Sequence, residues 1–211
     1  MDTAVSLVNA YLQINGFLTV TEYPLLERAP VGRTRTVTDL DVLGFRFPHA
    51  GRELSMGKGK SMAGDVRFEP DPALGGSANL PDMIVGEVKR GQARFNPATR
   101  HPGALAAALM RFGCCPGPEA RELAERLVRQ GQAETAGGHE IRMIAFGGIE
   151  PDQQPRGWRI ISLGHVMDYL QTYLREEWPR LRHVTFSNPI LDLFALIQRT
   201  ESQSGRRREV K

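Results

Sequence analysis

Cysteine is nearly absent from this sequence. The 211 residues include two cysteines, Cys114 and Cys115, and these two are adjacent. Neighbouring cysteines do not form an ordinary structural disulfide, and no other pair exists to build a cysteine-based zinc site. The five histidines show no spacing typical of metal ligands. The sequence therefore argues against a disulfide framework and against a zinc site.

Long apolar runs are absent as well. No segment approaches the roughly 18 consecutive apolar residues that indicate a membrane span. The first residues, Met-Asp-Thr-Ala-Val, lack the basic start and apolar core of a signal peptide. We therefore expect a cytoplasmic protein with no membrane association.

The overall composition is that of an ordinary globular chain. Hydrophobic residues make up 41% and charged residues 24% of the sequence, and its length fits one domain. The net charge is +3 and the pI is about 9.1, which is compatible with a polyanionic partner. Most basic residues are arginines, whose planar fork suits phosphate recognition. A GC-rich genome explains the arginine content equally well.

Hydrophobic periodicity predicts alternating helices and strands. Residues 48–81, rich in Gly, Pro, Ser and Asp, predict a long loop or insertion, and residues 201–211 a disordered basic tail. The remaining order predicts an α/β fold with a central mixed β-sheet flanked by helices. We expect one domain over residues 1–200, with a C-terminal helical appendage at 165–200. The predicted helices are 4–15, 102–112, 118–130, 165–177 and 189–200, and the strands are 17–27, 34–47, 82–89, 140–147 and 158–163.

The segment Gly86-Glu87-Val88-Lys89-Arg90 is the most informative part of the chain. It closes the apolar run Met83-Ile84-Val85, which reads as a buried strand. Side chains alternate along a strand, so Glu87 and Lys89 point to the same side. Two opposite charges on one face of a core strand are costly to bury unless they are paired or bind an ion. The segment therefore indicates a catalytic or metal site.

A second acid lies in the strand before it. Asp41 is predicted to share one strand face with Asp39, Leu43 and Phe45. If the two strands are neighbours, Asp41 and Glu87 converge. Two carboxylates and the backbone carbonyl of Val88 would make a hard oxygen site suited to Mg²⁺ or Mn²⁺. With a lysine beside it to hold a water, such a site suits phosphodiester hydrolysis.

The segments Thr38-Asp39-Leu40-Asp41-Val42-Leu43-Gly44 and Ile84-Val85-Gly86-Glu87-Val88-Lys89 resemble the PD-(D/E)XK, or restriction-endonuclease-like, nuclease superfamily. Its pattern is an acid in one strand and acid-x-Lys in the next. The predicted order over residues 4–170 is similar to its αβββαβ core, here with extra C-terminal helices. The resemblance implies that Asp41 and Glu87 are metal ligands and that Lys89 positions the nucleophilic water.

The chain departs from the family pattern between the two acids. The insertion 48–81 separates Asp41 from Glu87, and within it Asp65 is a rival for the first acid. Pro81-Asp82 copies the letters of the motif, but Asp82 has the opposite strand parity to Glu87. Some relatives also use an acid or a glutamine from the first helix or hairpin. The candidates for that role here are Gln13, Glu22 and Glu27.

Basic residues near the motif are candidate nucleic-acid contacts. Arg90, Arg94 and Arg100 follow it directly, and arginine reads phosphates well. An exposed polar turn explains this stretch equally well. Lys58 and Lys60 lie in a Gly-Lys-Gly-Lys-Ser segment that lacks the first glycine of a phosphate-binding P-loop. A flexible basic loop that contacts a nucleic-acid backbone is a better interpretation than a P-loop, and a plain solvated loop is better still.

These observations predict a Mg²⁺- or Mn²⁺-dependent nuclease acting on DNA, either alone or as the cleavage module of a defence or mobile-element system. Cutting both strands of a duplex generally requires two active sites, so we expect a homodimer or a partner protein that binds through the C-terminal helices. The alternative is a catalytically inactive nucleic-acid-binding or protein-interaction module on the same fold, in which the acids merely pair with Lys89.

Overall fold

The computed structural model describes residues 2–28, 34–48, 50, 70–149 and 157–209. These residues form a mixed six-stranded open sheet and five α-helices, so the predicted α/β class is confirmed. The helices are α1 (Thr3–Ile14), α2 (Pro102–Arg111), α3 (Gly117–Gln130), α4 (Leu163–Leu181) and α5 (Pro189–Glu209). The strands are β1 (Leu18–Arg28), β2 (Thr34–Arg46), β3 (Asp82–Gln92), β4 (Gln132–Glu134), β5 (Glu140–Ile149) and β6 (Arg159–Ser162).

The sheet combines an antiparallel meander with a helical crossover. Strands β1, β2 and β3 pair antiparallel in sequence order. The chain then passes through α2 and α3 and returns as β5, parallel to β3. The other edge of β5 is shared, because β4 pairs antiparallel with its first residues and β6 pairs parallel with its later ones. Strand β3, which carries Glu87 and Lys89, therefore lies in the middle of the sheet.

Two hydrophobic cores sandwich the sheet. One lies between the sheet and α2 and α3, and the other between the sheet and α1, α4 and α5. Along β3, Met83 and Val85 enter the α2/α3 core, whereas Ile84 and Val88 enter the α1/α4 core. Gly86 faces Val42 so closely that a Cβ atom at position 86 would lie 2.4 Å from the valine side chain. Glycine before Glu87 is thus required by the packing of β2 on β3.

Helix ends are set by ordinary capping chemistry. Asp2 accepts a hydrogen bond from the backbone N–H of Ala4 at the start of α1, and Ser162 accepts one from that of His165 at the start of α4. Helix α3 ends at Gly131, whose φ of +70° is the left-handed conformation that glycine adopts without strain.

Three features differ from the sequence-based expectation. Strand β4 has only three residues, too few to show a hydrophobic period. A 3-10 turn at Pro72–Leu74 lies inside the predicted loop 48–81. Helix α5 continues to Glu209 through the predicted tail, because glutamine, arginine and glutamate there are good helix formers. Within the ranges given above, no helix has both the length and the apolar character needed to cross a membrane.

A buried ionic cluster closes the other end of β3, away from Glu87. Asp82 forms ion pairs with Arg46, at 3.2 Å, and with Arg142, and all three side chains are buried. The two arginines also donate hydrogen bonds to the backbone carbonyls of Ser77 and Leu74. The cluster therefore holds residues 74–77 against the sheet, and Asp82 has a structural role there.

Candidate active site

Next to Asp41, strand β2 reverses which of its two faces points to which hydrophobic core. Leu40 and Leu43 both belong to the α2/α3 core, although side chains three residues apart point to opposite faces of a regular strand. The break in alternation therefore lies between Leu40 and Val42, next to Asp41. Asp41 has the strand parity of Leu43, and Glu87 and Lys89 have that of Val85, the partner of Leu43, so the contact between Asp41 and Lys89 agrees with the predicted face of Asp41.

The partner strand is irregular at the same level. Glu22 of β1 lies between Thr21 and Tyr23, whose partners on β2, Val42 and Leu40, flank Asp41. Its φ is +52°, which is uncommon for a residue other than glycine and costs on the order of 1–3 kcal/mol. Backbone strain of this kind concentrates at functional sites, since the surrounding structure must compensate for it.

Asp41 reaches β3 where the ladder between β2 and β3 ends. The last paired residues are Val42 and Gly86. Beyond them, the backbone N–H of Val88 donates a hydrogen bond of 2.8 Å to Asp41 Oδ2. The carboxylate thus replaces a main-chain acceptor and is held at the level of Glu87.

Glu87 is a buried acid with both oxygens engaged. Its side chain is 2% exposed. Lys89 Nζ lies 2.6 Å from Oε1, and the hydroxyl of Thr99 donates to Oε2 at 2.8 Å. A buried carboxylate requires such partners, since an uncompensated charge in the interior is strongly destabilising.

Lys89 joins the two acids. Its Nζ also lies 3.3 Å from Asp41 Oδ2, so one ammonium group contacts both carboxylates. Burial lowers the pKa of Lys89, but the hydrogen bond to Glu87 and the charges of Glu87 and Asp41 outweigh it and raise that pKa above its ordinary value. Lys89 is therefore a cation at neutral pH.

The structure thus brings together Asp41, Glu87 and Lys89, the three residues predicted to carry catalysis. Asp41 is the acid that lies beside Glu87, whereas its rival for the first acid, Asp65, lies outside the described residues, as do Lys58 and Lys60. Val88 donates its N–H to Asp41 and packs its side chain in the opposite core. The predicted role of the Val88 carbonyl as a metal ligand stays a prediction.

Of the other candidate acids and amides, Gln13 and Glu22 have described contacts with residues other than the trio. Gln13, near the C-terminal end of α1, accepts a hydrogen bond from Asn188 at the start of α5. Glu22 is exposed, and its Oε1 lies 3.4 Å from the backbone nitrogen of Asp2. The side chain of Glu27 lies outside the described residues.

The three candidate phosphate-binding arginines are all exposed, and two of them have partners. Arg90 forms an ion pair of 2.6 Å with Asp2, the N-cap of α1. The guanidinium of Arg100 lies 4.3 Å from the ring centroid of Trp158, a cation–π contact that limits its motion. Arg100 follows Thr99, so a guanidinium is displayed one residue from a group that contacts Glu87.

Sequence reasoning missed Thr99. The residue is fully buried, and its hydroxyl contacts the central acid. The only local signal is Asn96-Pro97, which is typical of a turn and does not indicate that a later threonine faces Glu87. The contact depends on how residues 93–101 fold back over β3, and a single sequence does not reveal that path.

A second polar cluster, also missed, lies at the far end of α1. Asp71 Oδ2 accepts a hydrogen bond of 2.7 Å from the Tyr11 hydroxyl and lies 2.6 Å from His165 Nε2. Asn15 accepts a hydrogen bond from the backbone N–H of Asp71. Burial, and next the hydrogen bond to Asp71, raise the pKa of Tyr11. These contacts fasten residue 71 to α1 and α4, a structural role that explains each of them.

The carboxylate oxygens at the trio belong to Asp41 and Glu87. In the described part of the chain, no group of three or more His, Cys, Asp or Glu side chains is placed to hold a metal ion. An ion at the trio would therefore need further oxygens from the backbone, from water or from a bound phosphate. No family model, no curated protein and no solved structure matches this chain significantly.

Proposed function

We propose that the protein is a metal-dependent nuclease that hydrolyses phosphodiester bonds in DNA. The observation that carries this proposal is the convergence of Asp41 and Glu87, from two strands, on the ammonium group of Lys89. Convergence at the end of a strand ladder favours a site over two unrelated surface charges.

The donor set fits Mg²⁺ or Mn²⁺. Both ions prefer carboxylate oxygens, and Mg²⁺ keeps several waters when one or two protein carboxylates bind it. Asp41 and Glu87 would hold the ion, with the Val88 carbonyl as a proposed third donor. Such an ion would supply charge neutralisation on the phosphate and acidify the attacking water.

The protein groups contribute positioning and charge. Lys89 is protonated at neutral pH, so it donates hydrogen bonds and does not act as a general base. Its role in the proposal is to orient a water or a phosphate oxygen. The Arg100 guanidinium, restrained on Trp158, would contact a neighbouring phosphate.

The fold order supports the proposal. Helix α1, the meander β1–β2–β3, the α2/α3 crossover and the parallel strand β5 follow the order αβββαβ that the resemblance to restriction-endonuclease-like nucleases implies. The helices α4 and α5 are then the C-terminal additions. The biological setting that we propose is a defence or mobile-element system.

A homodimer through α5 is part of the proposal. Leu193, Leu196 and Ile197 are exposed at helical spacing on the side of α5 opposite the buried Leu191 and Ala195. Two copies joined there would supply the two sites that double-strand cleavage requires.

One observation favours the alternative function. Lys89 compensates both carboxylates without any bound ion, so the trio is a satisfied ionic cluster by itself. An inactive nucleic-acid-binding or protein-interaction module would keep the same contacts. The alternative predicts binding of DNA without cleavage.

The deciding experiment is cleavage of supercoiled plasmid and single-stranded DNA in Mg²⁺ and in Mn²⁺. We expect the wild type to cleave and Glu87→Gln and Lys89→Met to lose at least about 100-fold in rate, since each removes a charge at the reacting phosphate. Glu125→Gln, at an exposed pair with Arg129 on α3, is the matched control and should cleave like the wild type. Equal activity in all variants would place the chemistry elsewhere, and DNA binding without cleavage by the wild type would establish the alternative.

A further inference from the structure

We propose that Thr99 is a positioning residue for Glu87, one that presents the acid to a divalent cation in a single orientation. This inference rests on the proposed function. Its basis is that the two oxygens of Glu87 are held by different groups, Lys89 at Oε1 and the Thr99 hydroxyl at Oε2. The hydrogen bond from this hydroxyl restricts rotation of the Glu87 carboxylate about its terminal carbon–carbon bond, a torsion angle whose distribution is otherwise broad.

The hydroxyl of Thr99 has a single role among the described contacts. Thr99 is fully buried, and its donor is directed at a carboxylate with 2% exposure. A hydrogen bond to a charged acceptor in a water-poor site is stronger than a neutral one. Because Thr99 engages Oε2, Oε1 is the oxygen that a cation would share with Asp41, in place of the Lys89 ammonium that contacts both carboxylates.

The turn that carries Thr99 is itself fixed. The side-chain oxygen of Asn96 accepts a hydrogen bond from the N–H of Ala98, and the backbone carbonyl of Asn96 accepts one from the N–H of Arg100. Its amide donates to the Thr38 hydroxyl at 3.2 Å. Thr38 belongs to β2, the strand that carries Asp41. The turn therefore connects Thr99, which contacts Glu87, to the strand of Asp41.

Support of this kind has a measurable effect in metal sites. Removing a hydrogen-bond partner of a metal ligand typically lowers metal affinity or activity 10- to 100-fold. A threonine that only satisfied a buried carboxylate would change the stability of the fold and leave ion binding by the folded protein unchanged. The two roles are therefore separable.

The test is Mn²⁺ binding to the full-length protein by isothermal titration calorimetry, without DNA. Thr99→Val, which keeps the shape and removes the hydroxyl, should raise the Kd for Mn²⁺ about 10- to 100-fold. Thr99→Ser restores the donor and should return the Kd to within about threefold of the wild-type value. The matched control is Thr135→Val, since Thr135 is also buried and its hydroxyl accepts one hydrogen bond, from the His139 N–H, remote from the trio.

The outcomes separate this inference from the proposed function. If Glu87→Gln binds Mn²⁺ like the wild type, the proposed metal site itself is wrong. If Glu87→Gln loses binding while folded Thr99→Val binds like the wild type, only the role of Thr99 is overturned. Asn96→Ala gives a second route where Thr99→Val does not fold, because it loosens the turn and keeps the hydroxyl. Asn96→Ala should weaken Mn²⁺ binding by a smaller factor than Thr99→Val, and unchanged binding by Asn96→Ala would also contradict the inference.

Discussion

The carboxylate of Asp41 accepts a hydrogen bond of 2.8 Å from the backbone N–H of Val88, directly beyond the last paired residues of β2 and β3. The carboxylate thus satisfies a backbone N–H that lies beyond the end of the ladder between β2 and β3. This bond also places the first acid beside the second, because Val88 follows Glu87. The same N–H thus serves both the stability of the sheet and the assembly of the trio.

Lys89 should stabilise the fold in a pH-dependent way. Its pKa is raised above the ordinary 10.5 by Glu87 and Asp41 against the opposing effect of burial. A raised pKa means that the stabilisation is fully present below about pH 10.5 and is lost as pH rises through the higher folded value. Lys89→Met should lower the free energy of unfolding by about 1–3 kcal/mol at pH 7, a range discounted because the lysine is partly exposed.

Urea denaturation of the wild type and Lys89→Met between pH 7 and pH 12 measures this difference. We expect it to be constant up to about pH 10 and to shrink above pH 10.5. A difference that grew with rising pH would mean that the ammonium is not held by the carboxylates.

Lys89 should also compete with a divalent ion. Its ammonium contacts the same carboxylates that would bind the ion, so an incoming cation must displace it or share them. We therefore expect Lys89→Met to bind Mn²⁺ at least as tightly as the wild type in the absence of DNA, while its cleavage activity is lost. Calorimetry with Mn²⁺ checks this, and much weaker binding by the variant would show that Lys89 organises the acids for the ion.

Asp82 should be essential for stability and irrelevant to chemistry. Asp82→Asn leaves two buried arginines without their shared counter-ion, which typically costs about 3–5 kcal/mol. Glu125→Gln removes one partner of an exposed pair and should cost no more than about 1 kcal/mol. Thermal and urea unfolding of both variants tests the contrast. A specific loss of Mn²⁺ binding by folded Asp82→Asn would refute the structural assignment.

The exposed face of α5 should mediate self-association. Leu196→Glu places a charge in the centre of the exposed stripe and should convert a dimer to a monomer. Leu18→Glu, at another exposed apolar position on β1, is the control and should leave the mass unchanged. Light scattering after size-exclusion chromatography measures both. A wild type that is monomeric at roughly 100 µM, where micromolar dimers persist, would remove α5 as the dimer interface.

The sequence was sufficient to predict the strands and the acids but not how they meet. The apolar run before Glu87 and the β-branched residues around Asp41 predicted both strands, and parity placed Glu87 and Lys89 together. The irregular backbone beside Asp41 was not predicted: alternation breaks between Leu40 and Val42, and Glu22 on β1 has a positive φ. The sequence does not signal this, since glutamate rarely adopts a positive φ.

Long-range contacts were the other part that sequence did not reveal. Thr99 reaches Glu87 across 12 positions, and Asp82 reaches Arg142 across 60. Partners so far apart are chosen by the three-dimensional path of the chain and leave no local period. The pattern of Asp82 did indicate that it faces away from Glu87, and its separate ionic cluster agrees with that expectation.

The most direct test of the central claim, that Asp41 and Glu87 form one divalent-ion site, is the anomalous scattering of Mn²⁺ in crystals of the protein. We predict a peak in contact with both carboxylates in the wild type. Asp41→Asn, whose side-chain oxygen can still accept the Val88 N–H, should keep the fold and lose the peak. No peak at Asp41 and Glu87 in the wild type, or one that persists unchanged in Asp41→Asn, would contradict the account.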